Sequence, residues 1–166
     1  MEPKVQALTL NHLNTGAVAG TTNSFTTTAA SVCSISGKFA VALAILTNSA
    51  TTPTLDAVTG VAFPAILPNT AAAIVFGVNA AGTLVAVQGP ATPTVTGVTT
   101  TVGAFIAGPQ FPSIPDNFCP IAYTIARCAP SLTTGVVLGT TQWAAAGASF
   151  TTFQNVSTLP DRLQIA

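Results

Sequence analysis

The sequence predicts an all-β protein: an antiparallel β-sandwich or barrel, jelly-roll-like, carrying an extended N-terminal arm. Three observations point there. Thr, Val, Ala, Gly and Pro dominate the chain, and β-branched Thr and Val suit a pleated surface better than a helix because their χ1 is stiff. Twelve prolines and 13 glycines cut the chain into pieces of strand length. Long polar helix formers are nearly missing, since charged residues make up only 5% of the chain. With 166 residues the chain fits one domain, large enough to bury roughly two-thirds of its unfolded surface.

Residues 1–22 form the expected arm and 23–166 the β-sandwich domain. In the arm, Val5, Leu8, Leu10 and Leu13 alternate irregularly with Gln, Asn and His, and Gly16 and Gly20 loosen the backbone toward residue 22. Such a segment either docks on a neighbouring subunit or forms an ordinary first strand. Next, Ser31–Ile35 and Phe39–Leu46 flank Ser36-Gly37-Lys38, a hairpin signal because Gly supplies the positive φ of a tight turn. Thr47–Pro53 reads as a loop and Leu55–Phe63 as a short segment. Ala71–Val78 and Thr83–Gln88 flank Asn79-Ala80-Ala81-Gly82, a second hairpin, apolar on both faces like strands covered by another layer or by a partner chain.

Gly89–Gly103 reads as a loop or irregular edge, and Pro109, Pro112 and Pro115 pace an extended segment. Phe118–Ala126 is a strand interrupted by Pro120. Leu132–Leu138 has the pattern of another, Ala144–Ala148 that of a single helical turn, and Ser149–Val156 that of the last strand.

Only eight side chains carry formal charge: Glu2, Lys4, Lys38, Asp56, Asp116, Arg127, Asp161 and Arg162. An ordinary domain carries about 25%. The net charge is zero, so nothing marks a nucleic-acid-binding face, and colloidal repulsion is absent. A surface of this kind is expected to face other protein. Hydrophobic residues at 49% argue against disorder. The longest apolar run, Phe39–Leu46, is far below the roughly 20 residues of a spanning helix. No apolar h-region comes after Met1, so folding in the cytoplasm is expected. Cys33, Cys119 and Cys128 lack zinc spacing; they read as small buried apolar residues, with a Cys119–Cys128 bridge conceivable under oxidising conditions.

The order of these motifs carries a resemblance. The Ser36-Gly37-Lys38 hairpin precedes Val78-Asn79-Ala80-Ala81-Gly82-Thr83-Leu84-Val85-Ala86-Val87-Gln88-Gly89. Ile114-Pro115-Asp116-Asn117-Phe118-Cys119-Pro120-Ile121-Ala122-Tyr123 and a closing Leu159-Pro160-Asp161-Arg162 come later. Together, over roughly Ser31–Arg162, they resemble tailed-bacteriophage virion structural proteins of the head-decoration, cement or capsid-fibre type. The resemblance implies a non-enzymatic subunit, a homo-oligomer with a trimer favoured. Its partner would be the major capsid protein or another virion protein, and its location the virion, assembled in host cytoplasm. Gly89–Gly103 has no counterpart in that pattern.

Candidate chemistry is thin. His12 is the one histidine, and a triad needs a base oriented by a carboxylate. Asp56 and Asp116 sit among turn residues, and Asp161-Arg162 reads as a local or intersubunit ion pair. The expectation is therefore no catalytic, cofactor-binding or metal residues, and no cofactor, nucleic acid or membrane. Phe105, Phe111, Phe118, Tyr123, Trp143, Phe150 and Phe153 form either a core cluster or an exposed hot spot. The second choice would make the chain a fibre-tip or receptor-binding recognition module. The runs Thr26-Thr27-Thr28 and Thr99-Thr100-Thr101 lack the regular spacing of a flat ice-binding surface.

Overall fold

The structure is a computed structural model that describes residues 9–35, 38–47 and 50–159. Within them the regular elements are all strands: β1 (Leu10–Asn11), β2 (Val18–Ala19), β3 (Ser24–Thr26), β4 (Ser31–Ile35), β5 (Lys38–Leu43), β6 (Ala50–Thr51), β7 (Thr70–Asn79), β8 (Leu84–Gln88), β9 (Thr92–Pro93), β10 (Phe118–Cys128), β11 (Ala148–Phe150) and β12 (Gln154–Asn155). They pair antiparallel throughout. The protein is all-β, and its sheets stay open instead of closing into a barrel.

The large sheet runs β11-β10-β7-β8, with β12 also on β10 and β9 also on β7. Two three-stranded sheets, β1-β4-β5 and β2-β3-β6, complete the fold. The centre is the β7–β10 pair, whose register holds from Phe118↔Asn79 to Arg127↔Ala71 and shifts between Pro120 and Ala122. That shift arises from proline, which has no N–H to give the ladder. The β7–β8 hairpin forms as its sequence dictates: Gly82 adopts φ +79°, and the Asn79 side-chain oxygen accepts from the N–H groups of Ala81 and Thr83 at 3.0 Å each.

Period-two alternation sends the side chains of β7 and β10 into two separate cores. On one face, Ala72, Ile74, Phe76 and Val78 meet Cys119, Ala122 and Ala126, and pack on Phe25, Cys33, Ile35 and Leu43 of the small sheets. On the other, Val75, Val87, Phe118 and Tyr123 lie beneath Phe111, Ile114, Val156 and Leu159. The apolar character of both faces of the hairpin is thus answered within the chain, by the small sheets on one side and by irregular segments on the other. The segment after β9 and the C-terminal segment share that outer cover. Phe111 meets Tyr123 edge-on at 5.0 Å, and a backbone pair from Val95 N–H to the Ala104 carbonyl (2.9 Å) closes the excursion between them.

Four expectations come out differently, the first being the Thr47–Pro53 loop, inside which β6 pairs with β3. Leu132–Leu138 is not a strand: Val136 makes an isolated bridge to Ile66, and Gly135 at φ +77° turns the backbone against the Ile66 carbonyl. Residues 144–147 form turns, not a helical turn. The last strand splits into β11 and β12 because the Thr151 hydroxyl, instead of a backbone carbonyl, accepts the Ile125 N–H (2.9 Å). The Ser36-Gly37 turn lies outside the described residues, although its flanking strands pair.

Residues 9–22 are held by their own chain. Leu10 pairs with Ser34, and Asn11 N–H donates to the Ser157 carbonyl at 3.0 Å. The Asn155 carboxamide accepts from Ala17 N–H (2.7 Å) and from the Thr15 hydroxyl (3.1 Å). Residues 1–8 lie outside the described residues.

Candidate functional site

The titratable residues singled out from the sequence do not converge. His12 is exposed, with Nε2 3.1 Å from the Ser34 hydroxyl. Asp56 is buried and works as a turn anchor: one oxygen accepts from the Val58 and Thr59 N–H groups (2.9 and 3.1 Å), the other from Gln88 N–H (3.0 Å). It thereby ties the loop 55–62 to the edge of β8. Asp116 is exposed in the turn closed by Phe118 N–H to the Pro115 carbonyl. Among the described residues, no three of the His, Cys, Asp and Glu side chains gather into a metal-binding group, and no helix is long and apolar enough to cross a membrane. Glu2, Lys4, Asp161 and Arg162 lie outside the described residues, so the Asp161-Arg162 reading does too.

Arg127 stands on the outer face of β10. Its guanidinium lies 4.9 Å over the Phe105 ring and donates to the Gly103 carbonyl and the Ser149 hydroxyl at 3.3 and 3.4 Å. Those contacts pin the irregular cover onto the sheet through cation–π attraction and hydrogen bonding.

The aromatics divide. Phe25, Phe76, Phe118 and Tyr123 are fully buried, with Phe25 stacked on Phe76 at 4.7 Å and Phe153 against both at 5.6 and 5.5 Å. Trp143, Phe150 and Phe153 are half-buried. Trp143 meets Phe150 at 4.8 Å and Phe153 at 5.6 Å, both edge-on, and its indole N–H donates to the Ser24 carbonyl at 2.6 Å. These three rings, with Thr151, Thr152, Val18 and Ala19, line an open groove of about 370 Å³. It lies where β2, the end strand of its sheet, comes beside the β11–β12 connection. Trp143, Phe150 and Phe153 were visible in the sequence as aromatics. The contribution of Val18 and Ala19 was not, because no local pattern announces a partner more than a hundred residues away.

The three cysteines are free and buried. Cys119 and Cys128 share β10, nine positions apart, so the extended backbone separates them by about 30 Å and no bridge joins them. Cys119 instead meets Cys33, thiol to thiol, across the layers. From there a polar thread continues: Cys33 Sγ to Ser31 Oγ at 3.1 Å, then Ser31 Oγ donating to Asn11 Oδ1 at 3.0 Å. The hydrogen bond to Cys33, burial and the charge Cys33 would carry all push the Cys119 thiol up. The hydrogen bond from Cys119 pulls Cys33 down to about 7, with burial opposing and Ser31 assisting. Burial also raises Cys128.

The surface itself is the last feature. Ten large aliphatic side chains are 45–75% exposed among the described residues. Leu55, Val58 and Val61 crowd the loop that Asp56 anchors, Val95 and Val98 are on the excursion after β9, and Leu67 is two residues before Asn69, whose side-chain oxygen accepts from Gly97 N–H at 2.9 Å. Compared with protein-family models, curated proteins and solved structures, the chain matches none of them.

Proposed function

We propose that this chain is a non-enzymatic structural subunit that works by packing against other protein, as a virion decoration or cement protein of the kind its motif order resembles. The observation that carries the reading is the exposed aliphatic side chains on the loops, Leu55, Val58 and Val61 together with Leu67, Val95 and Val98, on a chain with four basic and four acidic residues. Clustered apolar groups in water are stabilised by burial at about 25 cal/mol per Å², and larger exposed patches mark interaction surfaces. A neighbour covering them meets almost no charge to desolvate. A homotrimer closed through these ends, seated on a capsid protein, is the assembly this reading favours.

Sedimentation velocity over a wide concentration range tests it, alongside the paired variants Val58→Lys/Val61→Lys and Val95→Lys/Val98→Lys. Oligomers that the lysines dissolve into monomers support the proposal. A wild-type monomer at every concentration overturns self-association, and absence of the chain from intact particles by quantitative mass spectrometry overturns the virion role.

The aromatic groove favours a second reading, a recognition module for a glycan or an extended peptide. Trp143 is the sole tryptophan, so its fluorescence reports on that groove alone. A saturable change on titration with such a ligand supports recognition.

A further inference from the structure

We infer that Cys33 and Cys119 form a dithiol site that closes into a disulfide between the two layers of the protein, with a small-molecule disulfide as oxidant. The geometry selects this pair among the three possible. Cys33 is the central residue of β4 and points inward with Ser31 and Ile35. Cys119 is on the inward face of β10, opposite Val78 of β7. Both are fully buried members of one core cluster, and β4 packs against β10. Cys128 is at the far end of β10, its thiol near the Ala129 and Leu132 carbonyls.

The surroundings also set an order of attack. In the folded core, Cys119 beside Cys33 holds the Cys33 thiolate at lower pH than an isolated thiol, whereas Cys119 keeps its proton. Thiolate is the reacting form. Cys33 loses its proton and its sulfur attacks one sulfur of the oxidant; that S–S bond breaks, and one small thiolate leaves and takes up a proton. Cys119 then gives up its proton and attacks the Cys33 sulfur of the mixed disulfide, expelling the second small thiol. Two protein thiols are oxidised and one disulfide is reduced to two thiols. Because both sulfurs are buried, exchange requires a local opening that admits the oxidant to Cys33 while Cys119 stays beside it, so it is slow on the native protein and faster where opening is promoted. The product ties residues 86 positions apart in sequence, a long loop whose closure restricts the unfolded chain.

The sequence makes the test clean. Trypsin cuts after Lys4, Lys38, Arg127 and Arg162, which places Cys33, Cys119 and Cys128 in three different peptides, 5–38, 39–127 and 128–162. The full chain is incubated with oxidised glutathione in sub-denaturing urea, the remaining thiols are alkylated, and the digest is mapped by mass spectrometry. The expected product is 5–38 joined to 39–127, in chains that run as monomers on a non-reducing denaturing gel, with an upward shift in thermal midpoint after urea is removed. Cys119→Ser should trap glutathione on peptide 5–38, Cys33→Ser should leave peptide 39–127 unmodified, and Cys128→Ser should link like the wild type. A bridge involving 128–162, a purely intermolecular bridge, or three free thiols at the end of the incubation would each overturn the inference.

Discussion

Truncating Phe76 to alanine should remove a large part of the stability of this protein. Phe76 is at the middle of the central strand, fully buried, and its ring joins three parts of the chain. Phe25 of the small sheet stacks on it at 4.7 Å, and Phe153 of the C-terminal segment lies at 5.5 Å. Phe→Ala substitutions in cores cost about 3–5 kcal/mol through lost transfer energy and the cavity left behind. Two aromatic pairs, each worth about 0.5–1.5 kcal/mol beyond area, place this site in the upper part of that range, at about 4–5 kcal/mol. At about 2–4 °C per kcal/mol for a chain of this length, the thermal midpoint should fall by about 8–20 °C. Calorimetry or far-ultraviolet circular dichroism reads the shift. A double-mutant cycle of Phe25→Leu and Phe76→Leu isolates the stacked pair, with an expected coupling of about 0.5–1.5 kcal/mol. A midpoint lowered by less than about 4 °C in Phe76→Ala, together with strictly additive leucine variants, would refute the claim that these rings hold the layers together.

Other perturbations separate the remaining contacts. Gly77→Ala would press a Cβ into the Phe118 ring and the Cys119 carbonyl; urea unfolding should show a loss of about 1–3 kcal/mol, the range of overpacked sites. Asn155→Ala removes the hydrogen bonds that hold Thr15 and Ala17, so amide exchange should accelerate in residues 15–17 while the β7–β10 pair keeps its protection. The reduced protein should lose stability as pH rises past 9.0, the ordinary cysteine value. Folded Cys119 and Cys128 keep protons that the unfolded chain releases, so the unfolded state binds fewer protons there and stability falls with pH. Chemical unfolding at successive pH values should show this fall, and Cys119→Ala/Cys128→Ala should flatten it.

The parts of the fold legible in the sequence were those with local causes. The β7–β8 hairpin needed a left-handed residue at Gly82 and an Asn able to bond its own turn, and both stand in the sequence. Pro120 announced the irregularity in β10. Leu132–Leu138 failed as a strand because its apolar spacing resembles one, while Gly135 and a single partner at Ile66 decide otherwise. Similar limits governed the candidate site. The aromatic residues of the groove stood out by type, but the edge of β2 beside them depends on Asn155 clamping residues 15–17 from about 140 positions away. Likewise, composition identified three cysteines without revealing that strand geometry parts Cys119 from Cys128 and delivers it to Cys33.

The irregular, proline-paced cover over Val75, Val87 and Tyr123 bears on how copies of this protein can meet. Both broad faces of the large sheet are sealed from within, one by folded strands and the other by a segment that shows no repetitive ladder to the outside. Ladder-to-ladder pairing across either face is therefore closed to it, and the apolar side chains left for neighbours are on loops, Leu55, Val58 and Val61 and, on the cover itself, Val95, Val98 and Ile106. In the packing role proposed above, such a subunit would join its neighbours through loops and not through strand ladders.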